Sequence, residues 1–143
     1  FKHEAYDMVP ANIAIVDQAR GGQGCAIVHS DDEVGIQHLN QEAAKALSAG
    51  LRAGYEITKA RAMRWITSNP AKAAGILDQT GTIEIGKDAD LVIWNKNPFS
   101  VYALTEYVFV DGAKAFVRGE KELQPVTDFD LGIINPSDER ASL

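Results

Sequence analysis

One short apolar run constrains this chain more than any other feature. Cys25-Ala26-Ile27-Val28-His29 lies between two helical stretches and ends in Ser30-Asp31-Asp32. Its length and the preceding Gly24 predict a buried strand. A lone strand between helices leaves both of its backbone edges without hydrogen-bond partners. The first half therefore reads as part of a larger α/β unit, whose partner strands come from sequence outside this chain or from another molecule.

The elements around that run follow from local signals. Pro10 suits the first turn of a helix over Ala11–Arg20, with Ile13, Val16 and Ala19 inward and Gly21-Gly22 ending it. A second helix is predicted over Leu39–Ala53, burying Leu39, Ala43, Ala46, Leu47 and Leu51. Thr58 is placed to cap a helix over Lys59–Thr67, with Met63 and Ile66 inward. Asn69 caps a further short helix, with Pro70 in its first turn and Gly75 as its stop.

The pattern changes after Leu77. Thr82–Ile85, Asp90–Trp94, Glu106–Val110 and Ala113–Arg118 read as short strands, with a turn at Gly86-Lys87-Asp88. Asp111-Gly112 is a two-residue hairpin signal. The expected units are residues 1–77, residues 78–120 and an extended polar tail over 121–143.

Composition narrows the function classes. At 143 residues the chain can bury a true core, ~68–70% of its unfolded surface. A net charge of −6, with Arg52, Lys59, Arg61 and Arg64 scattered, argues against a nucleic-acid or anionic membrane surface. No apolar run approaches the ~20 residues of a membrane-spanning helix. The single cysteine, Cys25, excludes an internal disulfide and a cysteine-cluster zinc site, reads as a small buried hydrophobe, and accords with a soluble, cytoplasmic setting. Because the chain begins with Phe1, its true start is expected upstream.

The residues with most chemical potential follow the apolar run. A carboxylate where a buried strand ends sits at the sheet edge where α/β barrels gather their active sites. Asp31 there suits binding of a divalent metal and acceptance of a proton from water; it equally suits a helix cap or an Asx-turn. Strand alternation puts His29 on the same face, as a second ligand, a substrate contact or an ordinary hydrogen-bonded histidine. Ser30 points the other way, which removes a Ser-His-Asp triad. Lys2-His3-Glu4 is loop surface or, in a larger assembly, pocket lining. Trp65 and Trp94 read as packing residues, and Glu42 with Lys45 as a solvated helix pair.

Three further stretches carry a resemblance. They are Thr67-Ser68-Asn69-Pro70-Ala71-Lys72-Ala73-Ala74-Gly75, then Gly81-Thr82-Ile83-Glu84-Ile85-Gly86-Lys87-Asp88-Ala89-Asp90-Leu91-Val92, and finally Val108-Phe109-Val110-Asp111-Gly112. Together they resemble the closing segments of metal-dependent amidohydrolases, nearest to imidazolonepropionase-like and dipeptidase-like members. The resemblance implies a fold class of α/β plus β: the carboxyl-terminal end of a (β/α)8 barrel, with its last strand and closing helices, followed by part of a small β-sandwich. It implies a hydrolase of amide, peptide or cyclic amide C–N bonds that uses one or two divalent metals, usually zinc.

In that family an Asp ends the last barrel strand, as metal ligand and proton acceptor, and the position maps onto Asp31. Substrate contacts at His29, Lys2 and His3 are further expectations. The family's other ligands, including its early His-x-His, have no counterpart in this chain. The expectation is thus a carboxyl-terminal portion that is inactive alone. Its expected partners are the missing amino-terminal part of the barrel, a small amide or peptide substrate and further copies of itself. The alternative is a non-catalytic assembly or binding module derived from the same fold.

Overall fold

The computed structural model describes residues 3–31 and 34–120. Four α-helices precede three β-strands: α1 Asn12–Gly22, α2 Leu39–Arg52, α3 Lys59–Met63, α4 Ser68–Ala74, β1 Leu91–Trp94, β2 Thr105–Val110 and β3 Ala113–Val117. Short 3-10 turns cover His3–Asp7, Gly35–His38 and Arg64–Ile66. Among the described residues no helix is long and apolar enough to cross a membrane.

Ala14, Ala26, Leu47, Ile57, Ala62 and Trp65 form the core of the helical half, with Val28 and Phe99 packed against it. α1 and α2 cross closely at Gly50, where an added Cβ would lie 2.7 Å from the Ala14 Cβ. α1 turns Ala14 and Asp17 inward, while Val16 and Ala19 are exposed, so the predicted face is rotated. The cause is the Asp17 side chain, which finds buried partners described below. α1 also loses helical geometry at Ala19–Gly21, close to its predicted end. α2 matches its predicted span, but Asn40, Ala49 and Gly50 are buried and Leu51 is exposed.

Thr58 caps α3 as expected, its hydroxyl accepting from the Arg61 N–H at 3.1 Å. The helix tightens into a 3-10 turn after Met63, which brings Trp65 fully inside. Asn69 is not a cap. It lies inside α4 and spends its side chain on another segment. Gly75 ends α4 in the left-handed conformation.

The strands form one antiparallel sheet in the order β1-β2-β3. Val92 pairs with Val108 and Val108 with Phe116, while Ile93 pairs with Tyr107 and Tyr107 with Val117. The β2–β3 hairpin turns at Asp111-Gly112, both at positive φ as a type I′ turn requires.

Two predicted strands are absent. Cys25–His29 is extended but belongs to no sheet among the described residues. A strand needs a neighbour, and the described part of the chain supplies none to it. Thr82–Ile85 is loop, with Ile83 and Ile85 outward and Thr82 accepting from the Lys87 ammonium. Cys25 is exposed rather than buried. The predicted tail over 121–143 lies outside the described residues.

Candidate active site

Asp31 ends the extended segment, and the helical layer holds that segment in place. The buried Asn69 side-chain amide donates to the Ala26 carbonyl at 2.8 Å. The Val28 N–H donates to the Trp65 carbonyl at 3.1 Å. The Cys25 thiol leans on the Asn69 carbonyl at 3.7 Å. These contacts join the segment to α4 and to the turn before it.

Exposure then alternates: His29 is exposed, Ser30 is half-buried and Asp31 is exposed. Asp31 itself adopts φ +59°, in the left-handed region. Asp and Asn enter that region more cheaply than other side chains, because their short polar groups bond locally. His3 is exposed on the first 3-10 turn, and Lys2 lies outside the described residues.

The strongest polar cluster is one the sequence did not announce. Asp17, 2% exposed, accepts from Arg61 Nε at 2.5 Å, from Trp65 Nε1 at 2.8 Å and from Gln18 Nε2 at 2.8 Å. Arg61 also donates to the Asp17 and Gly22 carbonyls. Burial pushes the Asp17 carboxyl up, but the Arg61, Trp65 and Gln18 hydrogen bonds and the Arg61 charge outweigh it. The net effect holds it below its ordinary value. Held by these three donors, the group ties α1 to α3 and the turn after it. No spacing signal links residues 44 and 48 positions apart.

The other motif residues are likewise engaged in holding the fold. Lys87, whose side chain is 12% exposed, donates to the Leu77 carbonyl at 2.6 Å and to Thr82 Oγ1 at 2.5 Å, and pairs with Glu84 at 3.4 Å. Asp90 accepts from Thr80 Oγ1 at 2.9 Å and from the Asp111 N–H at 3.1 Å, tying the loop to the hairpin. Asn40 donates to the Pro98 carbonyl at 2.7 Å, joining α2 to the strand region. Glu42 and Lys45 form the expected helix pair at 2.5 Å. Replacing Lys87 by Met is expected to lower stability by about 1.5–3 kcal/mol, since the bonds lost involve a charged donor. Urea unfolding measures it.

A cavity of about 920 Å³ opens between the helical layer and the sheet, lined by Ile66, Pro70 and Ala71 on one side and Leu91, Val92 and Trp94 on the other. Its wall is mainly apolar, and neither Asp31 nor His29 lines it.

Among the described residues no group of three or more His, Cys, Asp and Glu is placed to hold a metal ion. Zinc sites take three or four protein ligands. Asp31 contributes one carboxylate, so the described residues do not by themselves fit a metal centre.

The chain resembles known proteins over most of its length. The Amidohydrolase family model matches residues 21–121. The amidohydrolase tasK of Hapsidospora irregularis is 32% identical over 139 residues, 90% of this chain and 13% of that protein. The imidazolonepropionase of Brucella suis is 54% identical over 41 residues, 29% of this chain and 10% of that enzyme. The solved amidohydrolase of Thermotoga maritima superposes with a TM-score of 0.69 at 31% identity, covering 82% of this chain and 28% of that one. The chain thus spans a minor share of each relative's length, and within that share it belongs to the amidohydrolase family.

Proposed function

We propose that this chain forms the carboxyl-terminal part of a metal-dependent hydrolase of amide, peptide or cyclic amide C–N bonds, with Asp31 as its acid–base carboxylate. The observation that carries the reading is the place of Asp31. Asn69, Lys87 and Asp90, three polar residues of the matched stretches, are engaged in bonds that hold the fold. Asp31 is exposed at the end of a segment that the Asn69 bond helps to fix. In the complete enzyme that segment is the last strand of a (β/α)8 barrel, and β1–β3 are part of a small β-sandwich.

The chemistry assigned to Asp31 is proton transfer. A water molecule attacks the substrate carbonyl carbon and gives a proton to an Asp31 oxygen. The C–N bond of the tetrahedral intermediate then breaks, and Asp31 returns the proton to the leaving nitrogen. His29 and, from the chain start, Lys2 and His3 are the proposed substrate contacts. The metal, zinc by family habit, falls to ligands in the amino-terminal part, with Asp31 adding one carboxylate.

Outward-facing Tyr6, Ile83, Ile85 and Tyr102 support association with that part and with further copies of the chain. The test is complementation. Mixed with an amino-terminal part carrying the remaining barrel strands, the chain is expected to gain divalent-metal-dependent amide hydrolysis that neither part shows alone. A folded mixture with no hydrolysis across amide, dipeptide and cyclic amide substrates overturns the reading in favour of a non-catalytic assembly module.

A further inference from the structure

The contacts around the extended segment carry one step more. Residues 25–31 belong to no sheet among the described residues, and within this chain two cross-segment bonds hold their backbone. The buried bond from the Asn69 amide reaches the Ala26 carbonyl, and the Val28 N–H reaches Trp65, three residues before Asp31. Holding Ala26 and Val28 anchors the backbone that leads into His29 and Asp31. Trp65 reaches the segment through its backbone carbonyl, whereas Asn69, on α4, reaches it through its side chain.

We infer that Asn69 is a positioning residue for Asp31, anchoring the backbone of the segment from α4; this rests on the acid–base role proposed above. Its amide holds the backbone five residues upstream and touches no reacting group. A displacement near 1 Å at a reacting group lowers turnover about 10²-fold. Loss of the Asn69 amide should therefore act on kcat rather than on KM.

The test uses two variants and a matched control in the complemented enzyme. Asn69→Ala removes the amide, and Asn69→Gln carries it one methylene too far. Asn40→Ala breaks a bond of the same kind, to the Pro98 carbonyl, away from Asp31. Both Asn69 variants are expected to lower kcat about 10²-fold with KM nearly unchanged. Asn40→Ala should lower the melting temperature and leave kcat intact. Placed on Asp31→Asn, Asn69→Ala should cause no further loss of kcat, a result that a merely structural role would not produce.

In the wild-type chain the Val28 amide should exchange with solvent more slowly than exposed amides, and in Asn69→Ala faster than in Asn40→Ala. Free exchange at Val28 in the wild type, or unchanged kcat in the Asn69 variants while Asp31→Asn is inactive, overturns the inference and leaves the Asp31 reading standing. Full activity in Asp31→Asn overturns both.

Discussion

Asp31→Asn is expected to lower kcat of the complemented enzyme by about 10²–10⁴-fold, the range general acid–base groups contribute. The same change should leave the folding stability of the chain within about 0.5 kcal/mol, as for other exposed surface positions. Asn is the right replacement because of the backbone. Asp31 sits at φ +59°, a conformation Asn tolerates and Ala resists, so Asp31→Ala would mix a chemical loss with a conformational one. The amide keeps the shape and removes the ability to take up a proton. Steady-state kinetics beside thermal unfolding separates the two effects. An Asn variant that turns over at the wild-type rate would remove Asp31 from the reaction.

Asp17→Asn is expected to have the largest effect on folding, about 3–5 kcal/mol, because it leaves the Arg61 guanidinium partly buried without its counter-charge. Asp17 is nearly without solvent contact, and the pair reaches 2.5 Å, so solvent screening does little to soften the loss. The pH dependence has a definite sign. Burial alone would raise the Asp17 carboxyl, but hydrogen bonds from Arg61, Trp65 and Gln18 and the Arg61 charge bring it below its ordinary value. A carboxyl in the unfolded chain titrates near ~3.9. The folded state therefore binds this proton more weakly, and the stabilisation is fully present above that pH. It is lost as pH falls through the lower folded value. Urea midpoints measured downward from neutrality should fall steeply below about pH 4 in the wild type. Asp17→Asn should start lower and lack this contribution to the slope. Equal slopes in the two proteins would show that Asp17 is not the titrating group.

The candidate site was legible to different depths at different residues. Asp31 could be singled out because a carboxylate ending an apolar run is a local pattern, visible in seven consecutive residues from Ala26 to Asp32. Asn69 before Pro70 carries the local signature of a helix cap. Its actual bond goes to Ala26, 43 positions away, and no local pattern encodes such a partner. Cys25 was placed inside because its neighbours are apolar, yet only Ala26 of that run is fully buried. With strand partners absent among the described residues, apolar character alone does not bury a side chain. Thr82–Ile85 has strand composition but is loop, and its Thr82 bonds to the Lys87 ammonium, a partner that strand periodicity does not encode.

What the sequence by itself determined lies within a few residues of its cause. The Thr58 cap, the Gly75 stop, the Asp111-Gly112 hairpin and the matched stretches that mark the family all belong here. Each depends on backbone conformations and neighbours that a short window contains. The tertiary structure alone decided which polar groups go inside and what holds the Asp31 segment. Burial of Asp17 is stable only because Arg61 and Trp65 arrive from 44 and 48 positions away. The energy of a buried charge depends on where its partners come to rest, and only the folded chain brings them together.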